Sequence, residues 1–459
     1  MSTTTQASQR IASLLDDNSF VEIGAKVTAR ATDFNLKATD TPSDGVVTGY
    51  GVINDNLVYV YAQDPSVLGG SIGEMHAKKI ANLYDMALKM GAPVIGIIDS
   101  TGLRLQEGVD ALDGFGEIFA AQSLASGVIP QITAVFGNCG GGLSMIPALS
   151  DFVFMEKDAK MFVNSPDAID DNNAAKCDTS ACTFQAEEAG NASVVADEAT
   201  IYAQIRELVS LLPGNCESTA FADCDDDLNR AAADIASFVG GDIAGAVAAI
   251  ADNGSVFESK ADFAKDVFTG LIKLNGDTVG VIANNDTAIT ANGAAKAADF
   301  VEFLDAFEIP VLTLTNVEKF KNCMCCEKRF AREGAKLTAA FANATVPKVN
   351  VIVGKAFGTP GVMMNSKALG ADMTFAWADA KIGMIDSKYA AQVIAGDKGD
   401  KDAVAKEYDA LQNSVDAAAR RGYVDTIINA EDTRKYVIGA FDMLYTKAVD
   451  TPAKKHTTK

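Results

Sequence analysis

VIPQITAVFGNCGGG, residues 128–142, returns at residues 345–359 as TVPKVNVIVGKAFGT, with Pro130 over Pro347 and Gly137 over Gly354 at an offset of 217. Upstream, GAPVIGII (91–98) matches EIPVLTLT (308–315), Pro93 over Pro310, again at 217. Further out, GVVTGYGVIN (45–54) pairs with DVFTGLIKLN (266–275), and Asp158-Ala159-Lys160 with Asp379-Ala380-Lys381, both at 221. Four anchors in one order, with an offset that drifts by only four residues, mean that one domain occurs twice. Solenoid and propeller repeats have periods of roughly 20–50 residues, far shorter than this. The chain is a duplicated globular fold, and a site between the copies is the first place to look for function.

Within each copy, short apolar runs rich in β-branched residues alternate with alanine-rich helical patterns. LVYVYAQD (57–64), APVIGIID (92–99), QITAVFG (131–137) and DFVFME (151–156) read as strands. EMHAKKIANLYDMALKM (74–90) and NGAAKAADFVEFLDAF (292–307) read as helices, each followed by the strand behind Pro93 or Pro310. This β-α-β alternation predicts an α/β fold with parallel strands and helices packed outside. At 459 residues the chain divides into domains 1–215 and 231–459, each long enough for a substantial core. The polar, acidic stretch PGNCESTAFADCDDD (213–227) reads as the linker, and the tail after residue 450 as a flexible end.

A net charge of -22 and 7% aromatic residues exclude nucleic acid as a partner, because phosphate recognition needs clustered Lys and Arg and strand binding needs stacking platforms. The first 15 residues, MSTTTQASQRIASLL, carry no long apolar run, and no segment approaches the roughly 20 apolar residues of a membrane span. A cytoplasmic location is expected. Eight cysteines there are expected to be reduced, and spacings such as C-x-C-C (323–326) without paired C-x2-C units read as free thiols rather than a zinc site.

Histidine is nearly absent, with only His76 in a helical pattern and His456 in the tail. A histidine-based triad or metal centre therefore lacks its parts, and His76 reads as a helix-face residue. An enzyme of this composition is left with backbone N–H groups as its means of stabilising charge. Gly137-Asn138-Cys139-Gly140-Gly141-Gly142 follows a strand and precedes the helix-like LSMIPAL, an order that aims bare N–H groups and a partial positive charge at a ligand. Gly141 and Gly142 suit an oxyanion, and Leu68-Gly69-Gly70-Ser71-Ile72-Gly73 forms a further glycine loop before a helix that can border an acyl or phosphate group. No P-loop or G-x-G-x-x-G fingerprint occurs.

DGVVTGYG (44–51), GGSIGEMHAKKI (69–80), STGLRLQEGVDAL (100–112), LASGVIPQ (124–131) and RRGYVDTII (420–428) resemble blocks of the carboxyltransferase subunits of biotin-dependent acyl-CoA carboxylases and decarboxylases. The similarity runs over essentially the whole chain. It implies two tandem crotonase-like (ββα-spiral) domains, with acyl-CoA on the N-terminal copy and biotin on the C-terminal copy of another subunit. It also implies an active site at a dimer interface and a homo-hexamer built as a trimer of dimers. The carboxyl group then moves between biotin, borne on a separate biotin carboxyl carrier protein, and the α-carbon of a short coenzyme A thioester such as propionyl-CoA or methylmalonyl-CoA. The resemblance puts the thioester enolate on the N–H groups of Gly141 and Gly142, beside Gly140, and the biotin oxygen on a matching pair at Gly358 and Thr359. Lys78, Lys79 and Arg104 are candidates for the CoA phosphates, beside Gly69 and Gly70. Val362 stands near a position that helps to choose the acyl group. No biotin-attachment Met-Lys-Met motif or ATP-grasp domain is present, so carrier and partner subunits (a biotin carboxylase or a membrane decarboxylase subunit) are separate chains.

The second copy departs from the resemblance. It reads Ala356-Phe357-Gly358-Thr359-Pro360-Gly361, and Pro360 has no N–H. A missing donor there costs about 2.7–4 kcal/mol by analogy with deleted oxyanion-hole donors. The family's V-P-G-F loop is Val317-Glu318-Lys319-Phe320 here, followed by CMCCEKR (323–329). These departures define the alternative function, a non-catalytic CoA-binding subunit that scaffolds an active paralogue. Plain crotonase-type hydration is weaker, since no glutamate pair stands at the glycine clusters.

Overall fold

The computed structural model describes residues 5–30, 34, 36–396 and 399–449. The tail expected to be a flexible end, with His456, lies outside the described residues. Two compact units follow one another, Met1–Ala220 and Phe221–Lys459.

The first unit holds β1 (Val21–Ile23), β2 (Val46–Ile53), β3 (Asn56–Gln63), β4 (Val94–Ser100), β5 (Gln131–Gly140), β6 (Phe152–Glu156), β7 (Lys160–Phe162) and β8 (Val194–Ala196). Their order in the sheet is β1-β2-β3-β4-β5-β6-β8, with β7 beside β5. The second unit holds β9 (Val256–Glu258), β10 (Val267–Leu274), β11 (Asp277–Asn284), β12 (Ala288–Ile289), β13 (Val311–Val317), β14 (Lys319–Phe320), β15 (Lys348–Phe357), β16 (Met373–Trp377), β17 (Lys381–Gly383) and β18 (Thr426–Ile428). Its sheet repeats the first as β9-β10-β11-β13-β15-β16-β18, with β17 on β15, and β12 and β14 form a separate ladder. The duplication predicted from the anchors is thus complete at the level of topology. One feature was not predicted: the strands that open each sheet pair antiparallel, β1 with β2, β2 with β3, β9 with β10 and β10 with β11.

The central strands are parallel and covered on both faces, which explains their continuous apolar character. Every residue of β13 is buried, as is all of β4 but Asp99. Helix Glu74–Met90 buries Ala77, Ile80, Leu83, Tyr84 and Ala87, one stripe at helical spacing, and ends on Gly91 at φ 62.

Side-chain devices are duplicated with the backbone. The hydroxyl of Thr48 donates to Ile23 O at 2.8 Å and that of Thr269 to Ser259 O at 2.9 Å, each locking a short antiparallel edge strand. The anchor glycines have a common cause. A Cβ on Gly137 would lie 2.0 Å from Asp99 Oδ1, and one on Gly354 would lie 2.4 Å from Asn316 Oδ1. In both copies a polar side chain from the neighbouring strand crosses where only glycine leaves room.

Candidate active site

β5 is ten residues long and does not stop at Gly137 as the sequence pattern suggested. Its register against β4 shifts between Ile98 and Ser100, with Ser100 still opposite Cys139, and on its other edge β7 takes over from β6, Cys139 opposite Met161 and Gly140 opposite Phe162. Gly137 to Gly140 are therefore strand, and the turn is made by Gly141 at φ 64, a left-handed value that glycine adopts without strain. Gly140 packs under Phe162, whose ring would lie 2.7 Å from a Cβ there. By contrast, nothing lies within 4 Å of a Cβ placed on Gly141 or Gly142. A helical turn, Gly141–Ser144, then begins, with Ser144 Oγ donating to Gly141 O at 2.7 Å. The leading N–H groups of such a turn have no acceptor within it, so they are available to an oxyanion in the open space beside them.

The second copy repeats this turn. Phe357 closes β15 at φ -107 and ψ 138, against φ -112 and ψ 156 for Gly140, and Gly358 turns at φ 59. Helix Gly358–Met363 follows. At the offset of 217, Gly358 and Thr359 stand on Gly141 and Gly142, and Pro360 stands on Leu143, one residue beyond the pair. Pro360 is thus the third residue of its helix, where an N–H has no intrahelical acceptor in any case. Beside Gly358 opens a cavity of about 500 Å³ whose walls include Gly361, Val362, Ile382, Met384, Tyr408, Arg421 and Tyr423. Gly361 lets the helix sit on its strand, since a Cβ there would lie 2.7 Å from the Ala356 carbonyl carbon.

The basic candidates separate into one that faces solvent and two that do not. Lys78 is half-exposed and pairs with Glu74 at 2.6 Å. Lys79 is buried and its ammonium donates to Ser43 O at 2.9 Å, to Ser43 Oγ at 2.5 Å and to Val46 O. Arg104 is fully buried, held by Asp44 at 2.5 Å, by Glu107 at 2.7 Å and by Ser71 O at 2.8 Å. Both cations are spent inside the fold, which corrects their assignment to CoA phosphates. Gly69 and Gly70, at φ 67 and φ 66, bring the loop onto the end of β4: a Cβ on Gly70 would lie 2.4 Å from Asp99 O. Close approach of two loops accounts for them.

His76 is a core residue. Its Nδ1 donates to Asp44 O at 2.9 Å, leaving Nε2, 3.3 Å from Gln63 Nε2, as the acceptor. Burial, reinforced by Arg104, holds its pKa well below the ordinary histidine range, so it stays neutral. Burial also lifts the Asp44 carboxyl above its usual range, with Arg104 pulling the other way.

Residues 4–458 match the carboxyl transferase domain family. The chain belongs to that family. As a carboxyltransferase it is 42% identical to the propionyl-CoA carboxylase beta chain of Roseobacter denitrificans, over 98% of this chain and 92% of that protein. It is 38% identical to methylmalonyl-CoA decarboxylase subunit alpha of Propionigenium modestum, again over 98% and 92%. Among solved structures, transcarboxylase 12S with hydrolysed methylmalonyl-coenzyme A bound, described as a hexamer assembly, superposes with a TM-score of 0.93 at 36% identity, covering 98% of this chain and 92% of that one. The two α/β units of this carboxyltransferase are accordingly crotonase-like domains, and it acts on acyl-CoA with biotin.

Sequence reading missed several residues of the carboxyltransferase. Asp44 organises the buried cluster of Arg104 and His76, and the sequence marked it only as the first residue of a family block. Arg421 and Tyr423 were read only as part of a family block, yet both line the cavity. Lys296 donates to Lys260 O at 2.7 Å, Phe263 O at 2.9 Å and Val267 O at 2.8 Å, so it is the counterpart of Lys79, and the offset of 217 could have paired them. No helix among the described residues is long and apolar enough to cross a membrane.

Proposed function

We propose that this carboxyltransferase moves a carboxyl group between biotin on a separate carrier protein and the α-carbon of a short acyl-CoA, propionyl-CoA or methylmalonyl-CoA. The matched pair of left-handed turns, Gly141 at φ 64 and Gly358 at φ 59, carries this reading, because it supplies one set of bare N–H groups per copy. In the N-terminal domain (1–215), Gly141 and Gly142 donate to the thioester oxygen as charge develops on it, and the open space around both glycines fits such a group. In the C-terminal domain (231–459), Gly358 and Thr359 donate to the ureido oxygen of biotin, and the adjoining cavity of about 500 Å³ receives the ring, with Val362 in its wall. Biotin would carry the carboxyl group, given or received, and supply the base, which suits a chain whose one described histidine is buried and neutral. Lys78 is the cation we assign to the CoA phosphates.

The hexamer assembly of transcarboxylase 12S supports a hexamer, which we take to be a trimer of dimers. The names beta chain and subunit alpha suit a chain that works beside other subunits, a biotin carboxylase or a membrane decarboxylase subunit in our reading. Eight free thiols suit the reducing cytoplasm. A scaffolding role without catalysis drew its motive from Pro360 and from the altered loop at 317–329. With Pro360 on the position of Leu143, both donors of the second turn remain, and the catalytic reading is preferred.

Purified protein is mixed with free biotin and malonyl-CoA or methylmalonyl-CoA, and decarboxylation is followed. Turnover is expected, with kcat lowered about 10²–10³-fold in Gly142→Pro, which deletes one donor. Absence of turnover in the unaltered protein, with CoA binding intact by calorimetry, would replace this reading with the scaffold.

A further inference from the structure

The Cys323-Met324-Cys325-Cys326 segment directly follows β14, and the other copy has nothing like it. Its spacing gave no reason to expect a metal site, since paired C-x2-C units are lacking. The fold changes that reading. The three Sγ atoms all lie within 4.8 Å of one another, the one such group of three potential metal ligands among the described residues. Cys323 precedes the short helix Met324–Glu327, and the Cys326 N–H donates to its sulfur at 3.4 Å, so a single turn folds the first and last thiols together. The sulfurs of Cys323 and Cys325 are 2.9 Å apart.

Burial is graded across the trio. Cys326 is buried, Cys323 is half-buried and Cys325 is exposed, which gives a cation an anchored ligand and an open route in. Three thiols gathered this closely can share one cation with little movement, the cation replacing their protons. In a tetrahedral site with metal–sulfur bonds of about 2.3 Å, sulfurs stand roughly 3.8 Å apart, so Cys323 and Cys325 would part by about 0.9 Å while the trio as a whole, within 4.8 Å, is already gathered.

We propose that Cys323, Cys325 and Cys326 form a three-thiolate site for one soft d10 cation of the Zn²⁺ type, with the fourth position open to solvent. Each thiol that ligates releases its proton to solvent, and no electrons move. Thiolate ligands select against Mg²⁺ and Ca²⁺, which take oxygen. The site stiffens a strategic segment. β14 lies against helix Gly358–Met363, and Phe320 packs on Phe330 with ring centroids 4.5 Å apart. A bound cation thereby pins the loop beside the second turn.

The full chain, reduced and freed of metal, is titrated with Cd²⁺ and with Co²⁺. The expected result is thiolate-to-Cd²⁺ charge-transfer absorption that saturates at an equimolar ratio, together with the visible bands of tetrahedral Co²⁺. Cys325→Ser, an exposed position whose replacement leaves the core alone, should weaken Cd²⁺ binding at least tenfold, and Cys323→Ser combined with Cys325→Ser should abolish it. Cys177→Ser, an exposed thiol elsewhere, should change nothing. Absorption that is missing from the reduced chain, or that survives the double substitution, overturns the site.

Discussion

Lys79 and Lys296 are one residue in two copies, and their chemistry follows from burial. Each ammonium sits under the loop before β2 or β10 and donates to backbone carbonyls, Val46 O in one copy and Val267 O in the other. Burial lowers both to about 8 from 10.5. The unfolded chain therefore keeps protons that the folded chain gives up between about pH 8 and 10.5, and these lysines raise stability as pH climbs through that window. The slope is at most about 1.4 kcal/mol per pH unit for each lysine. Urea unfolding from pH 8 to 10 should show the native protein gaining on a Lys79→Met, Lys296→Met double variant. Parallel pH profiles would refute the assignment. Arg104 makes a different prediction because its partners are charged. Arg104→Met leaves Asp44 and Glu107 buried without their cation, and unfolding free energy should fall by about 3–5 kcal/mol.

At the scale of the element, the short helix behind each glycine turn determines what each copy can hold. Thr359 and Pro360 are neighbours, yet only Thr359 stands on a donor position of the first copy. Thr359→Pro removes the N–H assigned to biotin and should lower kcat/KM for biotin about 10²–10³-fold while CoA binding stays unchanged. Pro360→Ala restores an N–H with no assigned partner and should leave kcat within about twofold, at a stability cost of about 0.4–1 kcal/mol from a freer unfolded chain. Steady-state kinetics with biotin varied separates the two, and a large gain from Pro360→Ala would count against the assignment. These helices were legible in the sequence because strand, glycine and helix follow one another, and because the repeat laid Gly358 over Gly141. Gly137 was legible as an anchor, but its cause, the carboxylate of Asp99 crossing the strand, required the fold. Lys79 and Arg104 were misread for the opposite reason: a lysine or arginine reads as solvated unless its acceptors are visible, and here, Glu107 beside Arg104 apart, they come from residues 33 to 60 positions away. The cysteine trio was missed because Cys323 and Cys326 make only one C-x2-C unit, and the approach of Cys325 to that pair required the fold.

For the whole molecule, the surface still to be explained is apolar. In the first unit Leu105, Val109 and Leu112 are 86%, 78% and 59% exposed, and the last two lie one turn apart on helix Val109–Ala125. In the second, Met384, Val393 and Ile394 are 82%, 83% and 61% exposed, the last two on helix Ser387–Ile394. Clusters of this kind on a chain of net charge -22 mark surfaces that a partner covers, since long-range repulsion between acidic copies must be overcome by local apolar burial. The hexamer proposed from the relatives supplies that cover. Val109→Asp or Val393→Asp places a carboxylate where association would strip it of water, a cost of several kcal/mol per contact, repeated at every equivalent interface. In the isolated subunit either side chain faces water, so subunit stability should change by no more than about 0.5 kcal/mol. Sedimentation velocity should show the variants as species smaller than the parent assembly, with turnover falling in step if sites form between subunits. Variants that sediment as the parent does would place the assembly interface elsewhere.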